Sequence, residues 1–241
     1  MSLTALLLLS CVSKARIETA SRRLDLGTAY YREGSYEASI EALREAVKAD
    51  PRNWRAHNQL ALAYVARGSK EEAEKSWHRA LAIDPKEAEI LVNYGAFEVQ
   101  QGRVPEAIAT FELALQDLDY RSPAAVLSNL SYALTQGGRP DEAVARAQEA
   151  IRRVPKLCQA YYHLGLAYEA KKDAEGALDA YRQLVEVCPD GAVGGRLRTG
   201  CLLVEAGRGE EARAPLARVL DEAAGTPLAD AARACLQKAG G

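Results

Sequence analysis

Five cysteines and three histidines are the side chains of this 241-residue chain best suited to metal, redox or nucleophilic chemistry. His57, His78 and His163 lie far apart, and no two have the spacing of metal ligands, so each reads as an ordinary helix residue. The stretch "DGAVGGR" is glycine-rich, but no strand precedes it and it lacks a phosphate-loop lysine; it reads as a turn. No nucleophile falls where a general base would meet it. The expectation is a protein without catalytic residues, metal or cofactor. The cysteines divide into two groups. Cys11 stands alone at the end of an apolar run, whereas Cys158, Cys188, Cys201 and Cys235 form an even set in the C-terminal third. Four cysteines allow three pairings, and their order does not choose among them; the alternative is four reduced, buried thiols.

The run ahead of Cys11, "MSLTALLLLSC", carries no charge and is far shorter than the roughly 20 apolar residues that span a bilayer. It has the character of the apolar core of a cleaved signal peptide. Beyond it, 31 basic and 33 acidic residues give a formal net charge of -2, which argues against a basic nucleic-acid binder. Ala, Leu and Glu dominate, and no stretch alternates apolar and polar residues for long, so the elements positioning these cysteines should be helices.

Those helices recur. Residues 26–51, "LGTAYYREGSYEASIEALREAVKADP", are echoed 34 positions later by residues 60–85, "LALAYVARGSKEEAEKSWHRALAIDP", and again by residues 164–189, "LGLAYEAKKDAEGALDAYRQLVEVCP". Weaker copies begin at Tyr94, Leu130 and Thr199. A small residue marks the first helix of each copy (Gly27, Ala61, Gly95, Ser131, Gly165, Gly200). A turn glycine follows it (Gly34, Gly68, Gly102, Gly138, Gly207), with Lys172 in the fifth copy. The second helix presents a bulky knob (Leu43, Trp77, Phe111, Tyr181, Leu216), reduced to Ala147 in the fourth. Pro51, Pro85, Pro155 and Pro189 close four copies. Glu98 departs from the aromatic or large residue expected at its position.

This pattern resembles the tetratricopeptide repeat, a helix–turn–helix unit of 34 residues. The resemblance implies an all-α, right-handed superhelical solenoid of six tetratricopeptide repeats over residues 20–225, then a C-terminal capping helix and tail over 226–241. It also implies a concave groove lined by the first helix of each repeat. Carried onto this chain, its lining includes Leu24, Tyr31, Asn58, Leu62, Val65, Val92, Val99, Tyr132, Tyr162 and Leu166, with Ser128 among the smaller neighbours. Such a lining suits an amphipathic helix or an extended apolar segment; the competing reading is that these residues pack the interior. The paired Lys, Arg and Asn with which chaperone-binding members clamp a carboxylate are not assembled. In the repeat frame Cys158 opens the first helix of the fifth repeat and Cys188 closes its second, while Cys201 lies in the sixth beside Cys235 in the capping helix. The frame therefore implies Cys158–Cys188 and Cys201–Cys235 disulfides.

"LLSC" resembles the bacterial lipobox, although no Lys or Arg precedes the run. The resemblance implies a signal peptide over 1–10, lipidation of Cys11 and a lipidated linker over 11–19. Val12, where Asp would retain the protein at the inner membrane, implies the periplasmic face of the outer membrane. A tetratricopeptide lipoprotein of this kind resembles the pilotins of type IV pilus systems, its length and C-terminal cysteines being most similar to the myxobacterial form. That resemblance implies a lipid-anchored scaffold that helps the pilus secretin assemble. The secretin subunit and the outer membrane are its partners, with no nucleic acid and no small-molecule substrate. The alternative expectation is a generic periplasmic scaffold for envelope or cell-wall proteins.

Overall fold

The computed structural model describes residues 3–117 and 120–239, with side chains from residue 14 onward. Among them are thirteen α-helices and one 3-10 turn, and no strand. The helices fall into two compact units, one ending at Phe97 and one beginning at Glu98. The first holds α1 (Leu3–Arg32), α2 (Tyr36–Ala49), α3 (Trp54–Arg67), α4 (Lys70–Ile83) and most of α5 (Ala88–Gln100). The second holds the end of α5, then α6 (Val104–Ala114), α7 (Pro123–Gln136), α8 (Pro140–Arg153) and α9 (Cys158–Ala170). It continues with α10 (Ala174–Val187), α11 (Val193–Glu205), α12 (Gly209–Glu222) and α13 (Pro227–Ala239). Within the first unit α1 packs on α2 and α3 on α4, and α2 packs on α3; within the second, α7 packs on α8, α9 on α10 and α11 on α12, with α8 on α9 and α10 on α11, the hairpin stacking of tetratricopeptide repeats.

Two local devices make the hairpins. The first is the turn. Gly68 has φ 87° and donates its N–H back to α3, ending the helix in the left-handed conformation that costs glycine nothing. At the equivalent place in the fifth repeat Lys172 adopts φ 60°, the one non-glycine residue with positive φ among the described residues. The second device is the crossing. A Cβ on Gly27 would lie 2.5 Å from Leu43 Cγ, and one on Gly165 or Gly200 would collide with Tyr181 or Leu216. The missing side chain on one helix is the space into which the knob of the other fits. In the second copy Ala61 and Trp77 hold the equivalent positions; both are fully buried, with Ile90 and Phe97 in the same cluster.

At the repeat position where an aromatic or large residue was expected, Glu98 is 4% exposed and accepts a 2.7 Å hydrogen bond from Thr110 Oγ1. A polar contact between α5 and α6 replaces an apolar one there. The C-terminal segment packs on α11 and α12 through Ala229 and Ala232, covering the end of the last repeat. Residues 14–19 continue into α1 without a break, because "SKARIETAS" has no Gly or Pro to stop a helix. The side chain of Cys11, like every side chain of residues 1–13, lies outside what the structure describes.

Candidate functional site

In the first unit, Leu24 and Tyr31 on α1, Leu62 and Val65 on α3, and Val92 on α5 are all half-buried. Positions 62 and 65 are one helical turn apart and share a face. Leu24, Tyr31, Leu62 and Val65 rest one side against the cluster formed by Leu43, Leu60 and Trp77 and keep the other side accessible. Their exposure is what a contact stripe requires: enough support to fix the side chain, enough free area to cover.

Asn58 is a correction to the expected lining. It is fully buried. Its carbonyl oxygen accepts from Trp77 Nε1 at 2.9 Å and from Asn93 Nδ2 at 3.2 Å, and its amide donates to Glu89 Oε1 at 3.1 Å. The side chain is used up in satisfying the indole N–H beneath it, which a buried tryptophan needs. Sequence reasoning missed this because Trp77 lies 19 residues away, on the partner helix.

In the second unit, Val99, Tyr132, Tyr162 and Leu166 are half-buried in the same manner. Tyr132 on α7 stacks on His163 of α9 with ring centres 5.0 Å apart, and Tyr162 leans on Tyr181 at 5.9 Å. Ser128, a second expected groove residue, is fully buried. Its carbonyl lies 2.7 Å from His163 Nδ1 and its hydroxyl 3.0 Å from the same nitrogen. Desolvation holds the His163 imidazole down at about 4, against a weaker opposing pull from that carbonyl. The pair resembles a nucleophile and base only superficially. Nδ1 gives its proton to the carbonyl and cannot also receive one from the hydroxyl, and both residues are sealed from solvent. The one signal in the sequence is their separation of 35, about one repeat, which places them on adjacent first helices.

The remaining histidines each make a contact within the repeats, His57 buried and His78 exposed. His57 contacts the Pro51 carbonyl at 3.1 Å, and His78 the Tyr94 hydroxyl at 3.1 Å. No group of His, Cys, Asp and Glu suited to a metal ion occurs among the described residues. The C-terminal cysteines come together in two pairs. Cys158 and Cys188 have sulfurs 2.00 Å apart and tie the start of α9 to the end of α10. Cys201 and Cys235, 2.03 Å apart, tie α11 to α13. No described helix is long and apolar enough to cross a membrane.

Residues 24–87 and 129–192 match one tetratricopeptide repeat family model, and residues 86–156 match another. A stretch of 139 residues is 31% identical to a type IV pilus assembly protein, PilF of Pseudomonas aeruginosa, covering 58% of this chain. That stretch is 55% of the relative's length, so this chain matches about half of it. Among solved structures, PilW, a widely conserved type IV pilus biogenesis factor, superposes with a TM-score of 0.81 at 22% identity, over 88% of this chain and 96% of its own. The Pseudomonas aeruginosa PilF structure gives 0.76 at 22% identity, over 91% and 99%. At that identity both likenesses concern the fold.

Proposed function

The chain belongs to the tetratricopeptide repeat family, and from that premise we propose that it is a noncatalytic, lipid-anchored scaffold of type IV pilus assembly that helps secretin subunits assemble at the outer membrane. The observation that carries the reading is that each unit by itself presents half-buried apolar side chains on its first helices, Leu62 and Val65 in the first and Tyr162 and Leu166 in the second. Supported from behind and accessible in front, these residues gain apolar burial when a partner segment covers them, at about 25 cal/mol per Å² removed from water. The match to a pilus assembly protein over more than half of the chain supports the choice of process.

The mechanism is noncovalent. A multiply acylated Cys11 holds the scaffold at the membrane surface, where one acyl chain alone would bind marginally. Anchoring raises the local concentration of the docking stripe beside secretin subunits. Cys11→Ala tests this. The variant should lose palmitate label, leave the outer-membrane fraction and lower the yield of assembled secretin. A variant that still carries label and still partitions with outer membranes overturns the anchor.

A further inference from the structure

Beside the apolar side chains of the first unit, Glu89 and Asn93 stand one turn apart on the same face of α5, both half-buried. One group holds both. The fully buried Asn58 of α3 accepts from Asn93 Nδ2 at 3.2 Å and donates its own amide to Glu89 Oε1 at 3.1 Å. Leu62 lies one turn beyond Asn58 on α3, and Val92 about one turn beyond Glu89 on α5, so the polar pair borders the apolar surface. We propose that Glu89, assisted by Asn93, receives a Lys or Arg side chain of the segment that docks on this surface, and so sets which segments the first unit accepts. The inference rests on the reading of Leu62 and Val65 as a docking surface.

The Glu89 carboxylate has no cation of its own. Among the described residues it forms no ion pair, and its hydrogen bond comes from the neutral amide of Asn58. Arg55, its counterpart one repeat earlier, is laid over the Trp54 ring, 4.3 Å from the ring centre. Lys86, nearby in the chain, is exposed and pairs with no carboxylate. Glu87 places a second carboxylate at this end of α5, accepting the backbone N–H of Glu89 at 3.4 Å. A half-buried carboxylate bonded only to an amide gains from a cation that arrives together with apolar cover, because the pair then forms away from water.

The groups left over are acceptors. With one oxygen taken by Asn58, Glu89 keeps Oε2, and Asn93, which gives its amide to Asn58, keeps its carbonyl oxygen. An ammonium or a guanidinium brings several donors and no acceptor, so either can satisfy both oxygens. An incoming carboxylate would meet a like charge. Both acceptors are also placed before a partner arrives. Asn58 cannot turn away, because its oxygen also accepts the Trp77 indole N–H at 2.9 Å, and a site already ordered loses less entropy on binding.

The test pans a random dodecapeptide display library against the purified chain and its Glu89→Gln and Glu89→Lys variants, each checked for parental helix content by circular dichroism. Glutamine keeps an acceptor for Asn58 and removes the charge. The parent should enrich apolar peptides with Lys or Arg at a fixed offset. Glu89→Gln should keep the apolar preference and lose the basic one, and Glu89→Lys should turn it toward Asp or Glu. A synthetic peptide from the parental pool should bind Glu89→Gln at least about tenfold more weakly by fluorescence anisotropy. It should also bind Leu62→Ala/Val65→Ala more weakly. No basic preference in the parental pool, or the same preference and affinity in Glu89→Gln, overturns the proposal. A preference that follows residue 89 while Leu62→Ala/Val65→Ala binds as the parent does supports the cation site and overturns the docking surface instead.

Discussion

Gly165 and Tyr181 meet where α9 crosses α10, and a methyl group on the glycine would collide with the tyrosine ring. The ring is fully buried, and its hydroxyl donates to Glu169 Oε1, so it has nowhere to retreat. Gly165→Ala should therefore lower stability by about 1–3 kcal/mol, the usual cost of overpacking. Adding Tyr181→Leu should recover part of the loss, because the smaller knob frees the space. Thermal unfolding of the single and double variants measures this. Strictly additive losses would show that the two residues do not share a crossing.

Lys172 sits in the left-handed conformation that the other hairpin turns give to glycine. A side chain there costs about 1 kcal/mol relative to glycine. Lys172→Gly should raise the unfolding free energy by about that amount, read from urea titration. Destabilisation by the substitution would mean that the lysine side chain contributes more than its backbone costs.

His163 predicts a specific weakness to acid. Its folded value is near 4, lowered by burial from an ordinary 6.5. Between those values the unfolded chain takes up a proton that the folded chain refuses, so stability falls as pH drops from 6.5 toward 4 and levels off below. The full loss from this residue is about 3 kcal/mol. His163→Gln keeps a hydrogen-bond donor and removes the titration. The difference between parent and variant stability should shrink steadily as pH falls through that window; a pH-independent difference would show that the imidazole is not held neutral. His57, lowered by desolvation as well, adds a background slope common to both proteins.

Much of this structure was legible in the sequence because the repeat is a packing rule written in residue sizes. Gly27 with Leu43, Gly165 with Tyr181 and Gly200 with Leu216 could be paired from spacing alone, since each crossing needs one absent and one large side chain. The turns were legible for the same reason, and Lys172 marked itself as the exception. Polar satisfaction was not legible. Asn58 has the register of a groove residue, yet the Trp77 indole claims it. Ser128 is claimed likewise by His163. Whether an amide points at a partner or at its own core depends on neighbours one helix away, which periodicity does not encode.

The two cross-links close loops of 30 and 34 residues in the C-terminal repeats. Disulfides of this kind contribute about 2–4 kcal/mol each by restricting the unfolded chain. Reduction should speed amide exchange in α9 to α13 and leave α1 to α4 unchanged, because repeats are stabilised chiefly by their neighbours. A uniform acceleration along the chain would contradict that local role.

The central claim is that the half-buried apolar stripe of the first helices receives a secretin segment. Photocrosslinking in living cells tests it most directly, with p-benzoylphenylalanine placed at Leu62 or Leu166 and, as the control, at the exposed Lys75 on α4. The two stripe positions should yield an adduct that mass spectrometry assigns to the secretin subunit, and Lys75 should not. Absence of a secretin adduct from both stripe positions, or equal yield from Lys75, would contradict the account.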